Sequence, residues 1–215
     1  MAKTQNGRKI VLWVVILGLA AFFGVRFIAC KSDDKQAVPA QKQVALTMSK
    51  NSETFNESFE KLLNGYFALK NALTEYDTAK ANATAKELVF FADSLKNSEI
   101  KGDTTGAIKA TAENYTGTIS GSCKGLIGES NLVKKKREFQ MISDALYDLI
   151  RTVKYDRQKI YHQHCLMAFN DEEEAYWISN SNEVVNPYLG KKHPKYRESM
   201  LHCGDITDSL DFSKK

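Results

Sequence analysis

Apolar residues recur at spacings of three and four beyond residue 50. Phe55, Phe59, Leu62, Tyr66, Leu69 and Leu73 form one stripe, the period of an amphipathic helix. Thr54 followed by Glu57 has the spacing of a capping box at its start. Asp77 is placed to cap a second helix whose apolar residues are Ala79, Ala83, Leu88, Phe91 and Leu95. "NSEIKGD" at 97–103 breaks the pattern, and Thr104 or Thr105 starts a third helix through Ile108, Ala112, Tyr115 and Ile119. Gly117, Gly121, Gly125 and Gly128 each lower helix propensity there by up to about 1 kcal/mol, so a kink or loop is expected. Ser130 opens a fourth helix with Leu132, Phe139, Ile142, Leu146, Leu149 and Val153 on one side, and Met141 is assigned to its core.

Four amphipathic helices with short connections predict an antiparallel bundle. The period then changes. "IYHQHC", "AYWIS" and "MLHCG" are short and rich in aromatic and β-forming residues, between the turn signals "NDEEE", "NSN" and "NPYLG". The expected fold class is mainly α with a small α+β appendage. A bundle of about four helices over 49–154 is followed by a β-containing subdomain over 155–215, packed on it.

The start of the chain adds a location. Of 30 Lys and Arg against 26 Asp and Glu, four basic residues (Lys3, Arg8, Lys9 and Arg26) precede Cys30, and no acidic residue does. The formal charge of +4 is therefore a targeting signature and not a nucleic-acid footprint. "KKKR" at 134–137 lies in a helical pattern and reads as a solvated face. The apolar run Ile10–Val25 covers about 24 Å as a helix, and Arg26 can snorkel so that Phe27–Ala29 complete a span. Alternatively, "FIAC" resembles a lipobox that leaves Cys30 lipidated. Residues 1–30 are thus expected to be a membrane anchor or a lipoprotein signal, and 31–48, polar and holding Pro39, a linker. Either way the body faces an extracytoplasmic, periplasmic space, tethered to the membrane by its N-terminus.

Chemistry-bearing side chains gather in the appendage. "YHQHCLMAFN" holds His162, His164, Cys165 and Met167, and "MLHCG" holds Met200, His202 and Cys203. Thiolate and thioether are soft donors that favour Cu(I) and Ag(I). In an extended segment Cys165 and Met167 share a face, whereas His162 and His164 take the other. The economical ligand set is Cys165, Met167, Met200 and Cys203, with His164 or His202 as extras. A Cys165–Cys203 disulfide is the competing use of the same residues in an oxidising compartment. Cys123 reads as a buried small hydrophobe and His193 as a loop residue. No nucleophile elbow, P-loop or C-x-x-C is present, so an enzyme is not expected.

"REFQMISDALYDLI", "YHQHCLMAFN", "AYWIS", "NPYLGKKHPKY" and "MLHCGDI", in that order, resemble a bacterial domain of unknown function. That domain occurs alone behind a signal sequence, or at the C-terminus of periplasmic adaptor subunits of copper/silver efflux pumps, particularly in Bacteroidetes. The similarity covers roughly 55–210, and its specific part is 137–205. Leu166 stands where the family commonly has Pro, which frees the backbone of that turn, and Leu189 stands where it often has Phe. The resemblance implies heavy-metal handling, the pairing of Cys165 and Met167 with Met200 and Cys203, and aromatic scaffolding from Phe169, Trp177 and Tyr188. The expected function is a tethered module that binds Cu(I) or Ag(I) and buffers the ion or hands it to an efflux adaptor or pump. The alternative is a disulfide-stabilised interaction module of an envelope complex, without metal.

Overall fold

The structure, a computed structural model, describes residues 44–213. The expected anchor or signal, Cys30 with it, and most of the expected linker lie outside the described residues. Four helices come first: α1 (Glu53–Thr74), α2 (Thr78–Asp93), α3 (Ala107–Gly128) and α4 (Leu132–Val153). Strands β1 (Ile160–Phe169), β2 (Glu173–Ser179) and β3 (Asp205–Leu210) follow, in one antiparallel sheet of order β2-β1-β3. Helices and sheet belong to one compact unit, Gln41–Lys215, a helical bundle with a small β appendage. Among the described residues no helix is long and apolar enough to cross a membrane.

The stripe on α1 is buried throughout, but Ser52 and not Thr54 caps the helix, accepting from the Phe55 amide at 3.2 Å. A cap at Thr54 would start the helix only at Phe55. Capping from Ser52 brings Phe55 into line with Phe59, ring centroids 5.5 Å apart. Asp77 caps α2 as expected, by way of the Lys80 amide. The buried phase of α2 is Ala81, Ala85, Leu88 and Ala92, whereas Ala79 and Ala83 are exposed. Close approach sets that phase: a Cβ added at Gly65 of α1 would sit 3.0 Å from the Phe91 ring. Helix α3 starts after Gly106 and runs unbroken through its glycines. Ile119, Cys123 and Leu126, spaced four and three apart, pack it into the core and override the weak propensity.

Helix α4, capped by Asn131, buries Phe139, Ile142, Leu146, Leu149 and Val153. Met141 lies off that stripe and is 52% exposed, against its expected place in the core. The basic run is not a solvated face either, since Lys135 and Lys136 are 2% and 3% exposed. Lys135 Nζ donates to Asn82 of α2 at 2.7 Å and to the Leu126 carbonyl at 2.6 Å, and Lys136 Nζ donates to the Tyr188 carbonyl at 2.6 Å. Arg137 lies on the Phe169 ring and pairs with Glu173 at 2.7 Å. The start of α4 is covered by helices on one side and by the appendage on another, so neighbouring lysines are both enclosed.

The third strand departs from expectation. "MLHCG" forms turns, in which the Cys203 amide donates to the Met200 carbonyl at 3.1 Å, and "DITDSL" forms β3. Only Leu210 of β3 is buried, so this edge strand carries no apolar alternation to read. Bundle and sheet are joined by a buried chain of hydrogen bonds. The Ile178 amide donates to Tyr66 Oη at 3.1 Å, Tyr66 and Ser143 bond at 2.8 Å, and Ser143 donates to the Phe139 carbonyl at 2.9 Å. Beside it, Lys70 Nζ donates to Ser179 at 3.3 Å.

Burial lowers the Lys70 ammonium to about 8 and the Lys136 ammonium to about 7. Between those values and the ordinary 10.5 the unfolded chain binds more protons than the folded one, so stability rises with pH. From about pH 9 unfolded Cys123 and Cys165 ionise while burial holds the folded thiols protonated, which offsets the lysine gain. The buried tyrosines, among them Tyr66, Tyr76 and Tyr155, reverse the sign at higher pH. Chemical denaturation is expected to show a gain on the order of 2 kcal/mol from pH 7 to 9. Lys70→Met is expected to raise stability at pH 7 and flatten that rise. An unchanged slope in this variant means that the ammonium is not desolvated.

Candidate functional site

Strand pairing divides the candidate residues between two faces. Gln163 lies opposite Trp177 and Cys165 opposite Ala175, so these four share one face. His162 and His164, opposite Ile178 and Tyr176 on β2 and Asp208 and Asp205 on β3, take the other. A register shift between Cys165 and Phe169 follows, and the β1–β2 turn closes with Asn170 and Asp171 at φ 53° and 64°. The expected separation of histidines from Cys165 therefore holds.

His164 is enclosed, with Nδ1 3.2 Å from Asp205 Oδ1 and Nε2 3.0 Å from Glu174 Oε2. Tyr147, His162, Tyr176 and His164 stack in series at centroid spacings of 4.0, 4.9 and 4.4 Å. Both His164 nitrogens are thus committed to carboxylates on the far side of the strand from Cys165. His202 is exposed, and its Nδ1 lies 2.7 Å from the Val184 carbonyl oxygen.

The segment 180–204 covers the face that bears Cys165. Gln163 Nε2 donates to the carbonyls of Ser181 and Glu183 at 3.2 and 3.0 Å. Gln163 Oε1 and Trp177 Nε1, opposite each other, are buried without a hydrogen-bond partner. Asn186 organises the cover. Its Oδ1 accepts from the Tyr188 and Leu189 amides at 2.8 and 2.9 Å, the Asx turn that Pro187, lacking an N–H, permits. Its own amide donates to the Leu201 carbonyl at 2.8 Å, and Nδ2 donates to the Cys203 carbonyl at 2.7 Å. Gly204, at φ 141°, lets this turn press on β1: a Cβ there would lie 2.4 Å from the His164 carbonyl oxygen and 3.1 Å from the Trp177 ring.

This arrangement brings Cys165 and Cys203 together. Cys123, Cys165 and Cys203 are all free thiols. Burial pushes the Cys165 thiol up, the Met167 amide and the Asn186 side chain pull it down, and the neighbouring Cys203 thiol raises it again by charge and hydrogen bond. Two thiols so placed resist ionising together unless a cation neutralises them. Met167 and Met200, on the two segments that supply the cysteines, are half-buried against the core. Phe169 and Trp177 both pack on Tyr188, at 5.3 and 6.0 Å between centroids. Cys123 is remote on α3, where burial pushes its thiol up to about 12. Among the described residues no three His, Cys, Asp or Glu side chains converge as a metal-holding group, so any further soft donor beside the thiol pair is a thioether.

Asn186 was legible only as part of the turn signal "NPYLG". The sequence cue to a larger role is an Asn before Pro within an otherwise apolar stretch, where a polar side chain must find partners to be buried.

Fold and site together define a helical bundle with an appended antiparallel sheet, in which one free thiol on β1 meets another on the segment that covers it. Residues 62–158 match the model of a family described as a protein of unknown function (DUF3347), so a DUF3347 domain covers most of the bundle. The match ends two residues before β1, and the thiol pair lies beyond it. It overlaps the stretch of specific resemblance, 137–205, only over 137–158. No curated protein and no solved structure matches the chain.

Proposed function

We propose that the protein is a membrane-tethered extracytoplasmic module that binds Cu(I) or Ag(I) through Cys165 and Cys203, with Met167 and Met200 as thioether donors. The observation that carries this reading is the juxtaposition of two free thiols, one on β1 and one on the segment that covers it, almost forty residues apart in sequence. Two thiolates suffice for a soft monovalent ion, and each thioether gives an incoming carrier a ligand to exchange against. Capture releases the thiol protons, so binding weakens as pH falls. Transfer to an efflux adaptor or pump follows from the resemblance of 137–205 and is part of the same proposal. The alternative use of the pair, a disulfide that pins the 180–204 segment to β1, is favoured by the same proximity. A thiol enzyme fits less well, because burial raises the Cys165 thiol instead of depressing it.

Anaerobic titration of the reduced protein with Cu(I), against a chromogenic chelator, tests this. One tight equivalent is expected, weakened roughly 100-fold or more by Cys165→Ser or Cys203→Ser and about tenfold by Met200→Leu. Circular dichroism of each variant checks that it is folded. If the folded, reduced protein leaves the chelator fully loaded, the metal reading fails and the disulfide-pinned interaction module replaces it.

A further inference from the structure

A cavity of about 410 Å³ lies where the start of α4, the β1–β2 turn and the 188–195 segment meet. It is separate from the proposed metal site, and none of Cys165, Met167, Met200 and Cys203 lines it. Its size suits a small organic molecule. Leu132, Val133, Phe169 and Pro194 give it apolar walls, and Tyr76 and Tyr188 flank Lys136.

Lys136 is the one basic group of the wall that has no carboxylate partner. The side chain is buried, and no acidic group offsets that burial. Of its three N–H directions, the Tyr188 carbonyl takes one at 2.6 Å and the face of the Tyr76 ring, 3.8 Å from Nζ to its centroid, takes a second. The third remains for something in the cavity. Burial without a carboxylate partner makes the charged form of Lys136 costly, and an anion in the cavity would offset that cost and hold the proton on Nζ.

The rest of the lining agrees in sign. Asp171, its one carboxylate, is engaged by Lys195. The first turn of α4 contributes Leu132 and Val133 to the wall, and Asn131 Oδ1 already accepts from the Val133 and Lys134 amides at 2.8 and 3.3 Å. His193 Nδ1 accepts from the amides of Lys195 and Tyr196, both at 3.3 Å, which leaves Nε2–H as a donor. The cavity therefore combines a net positive lining with apolar walls.

We propose that this cavity binds a small organic carboxylate with an aromatic or branched apolar body, its carboxylate paired with the Lys136 ammonium. The body packs between Val133, Phe169 and Pro194. The bundle, the sheet and the 188–195 segment all contribute, so occupancy braces the appendage against α4.

Calorimetric titration of the purified full chain with benzoate tests the proposal, with benzyl alcohol and acetate as probes that keep only the body or only the charge. Benzoate is expected to saturate one site with a dissociation constant of about 1 mM or tighter, and each comparator to bind at least about tenfold more weakly. Lys136→Met is expected to weaken benzoate by about tenfold or more. Val133→Trp, at an exposed position on the cavity wall, is expected to block it while leaving the lysine and its partners in place. Neither variant should move the Cu(I) affinity, which separates this site from the thiol pair. Absence of saturable benzoate binding, equal binding of benzyl alcohol, or benzoate binding that survives Val133→Trp each overturns the proposal.

Discussion

Asn186→Ala is expected to destabilise the protein by about 3–5 kcal/mol and to make Cys165 react with a thiol reagent at least about tenfold faster. The side chain is fully buried and makes three hydrogen bonds to backbone: it accepts from the Tyr188 and Leu189 amides and donates to the Cys203 carbonyl. Alanine leaves two buried donors and one acceptor without partners, each costing roughly 1–3 kcal/mol less whatever relaxation recovers. The same change removes the side chain that bonds the Cys165 thiol and the tie that holds Cys203 over β1. Asn186→Asp keeps the two acceptances and loses the donor, so it should fall between wild type and Ala in stability. Denaturant melts give the first number, and the rate of 5,5′-dithiobis(2-nitrobenzoate) reaction gives the second. Cys123, buried on α3 in every variant, is the internal control. Full destabilisation with no change in Cys165 reactivity would reduce Asn186 to a turn residue and remove it from the site.

Much of the bundle was legible because burial imposes a 3.6-residue period. Phe55 to Leu73 and Phe139 to Val153 show it without interruption, and both stripes are core. Alanine carries too little hydrophobic signal to fix a phase, and α2 slipped from Ala81 and Ala85 to Ala79 and Ala83 for that reason. Its phase comes from the approach of Gly65, a tertiary fact. The lysines at 135 and 136 misled by charge. Their aliphatic stems and three donors allow burial where carbonyls wait, and those carbonyls, of Leu126 and Tyr188, come from other segments.

At the candidate site, the alternation of β1 sorted His164 from Cys165 correctly, since side-chain direction in a strand is local. The proximity of Cys165 and Cys203 depends on the fold of 180–204, so residue types could suggest the pair without fixing it in space. Its cause is distributed: Asn186 anchors the turn, and Gly204 alone permits its contact with the β1 backbone. The carboxylates beside His164 come from β2 and β3, and β3 left no periodic trace.

Phe139→Ala is expected to cost about 3–5 kcal/mol, the range for deleting a fully buried aromatic ring. The larger expectation concerns what fails together. The Phe139 ring stacks on Tyr66 of α1 at 5.2 Å and meets Tyr188 at 5.9 Å, so it touches both the bundle and the cover of the thiol pair. Its carbonyl also ends the chain that runs from the Ile178 amide through Tyr66 and Ser143. Loss of the ring loosens Tyr66, and with it the bond to β2, so sheet and helices should melt in one transition at a lower temperature. Far-ultraviolet dichroism reports the helices. Near-ultraviolet dichroism reports the aromatic packing, to which Trp177 and Tyr188 contribute on the appendage. Coincident midpoints in wild type and variant are the expected result. An early near-ultraviolet transition in Phe139→Ala, with the helical midpoint unmoved, would mean that the appendage is a separate cooperative unit docked on a self-sufficient bundle. Metal capture would then be expected to stabilise the appendage alone, because a ligand stabilises only the unit whose folded form binds it.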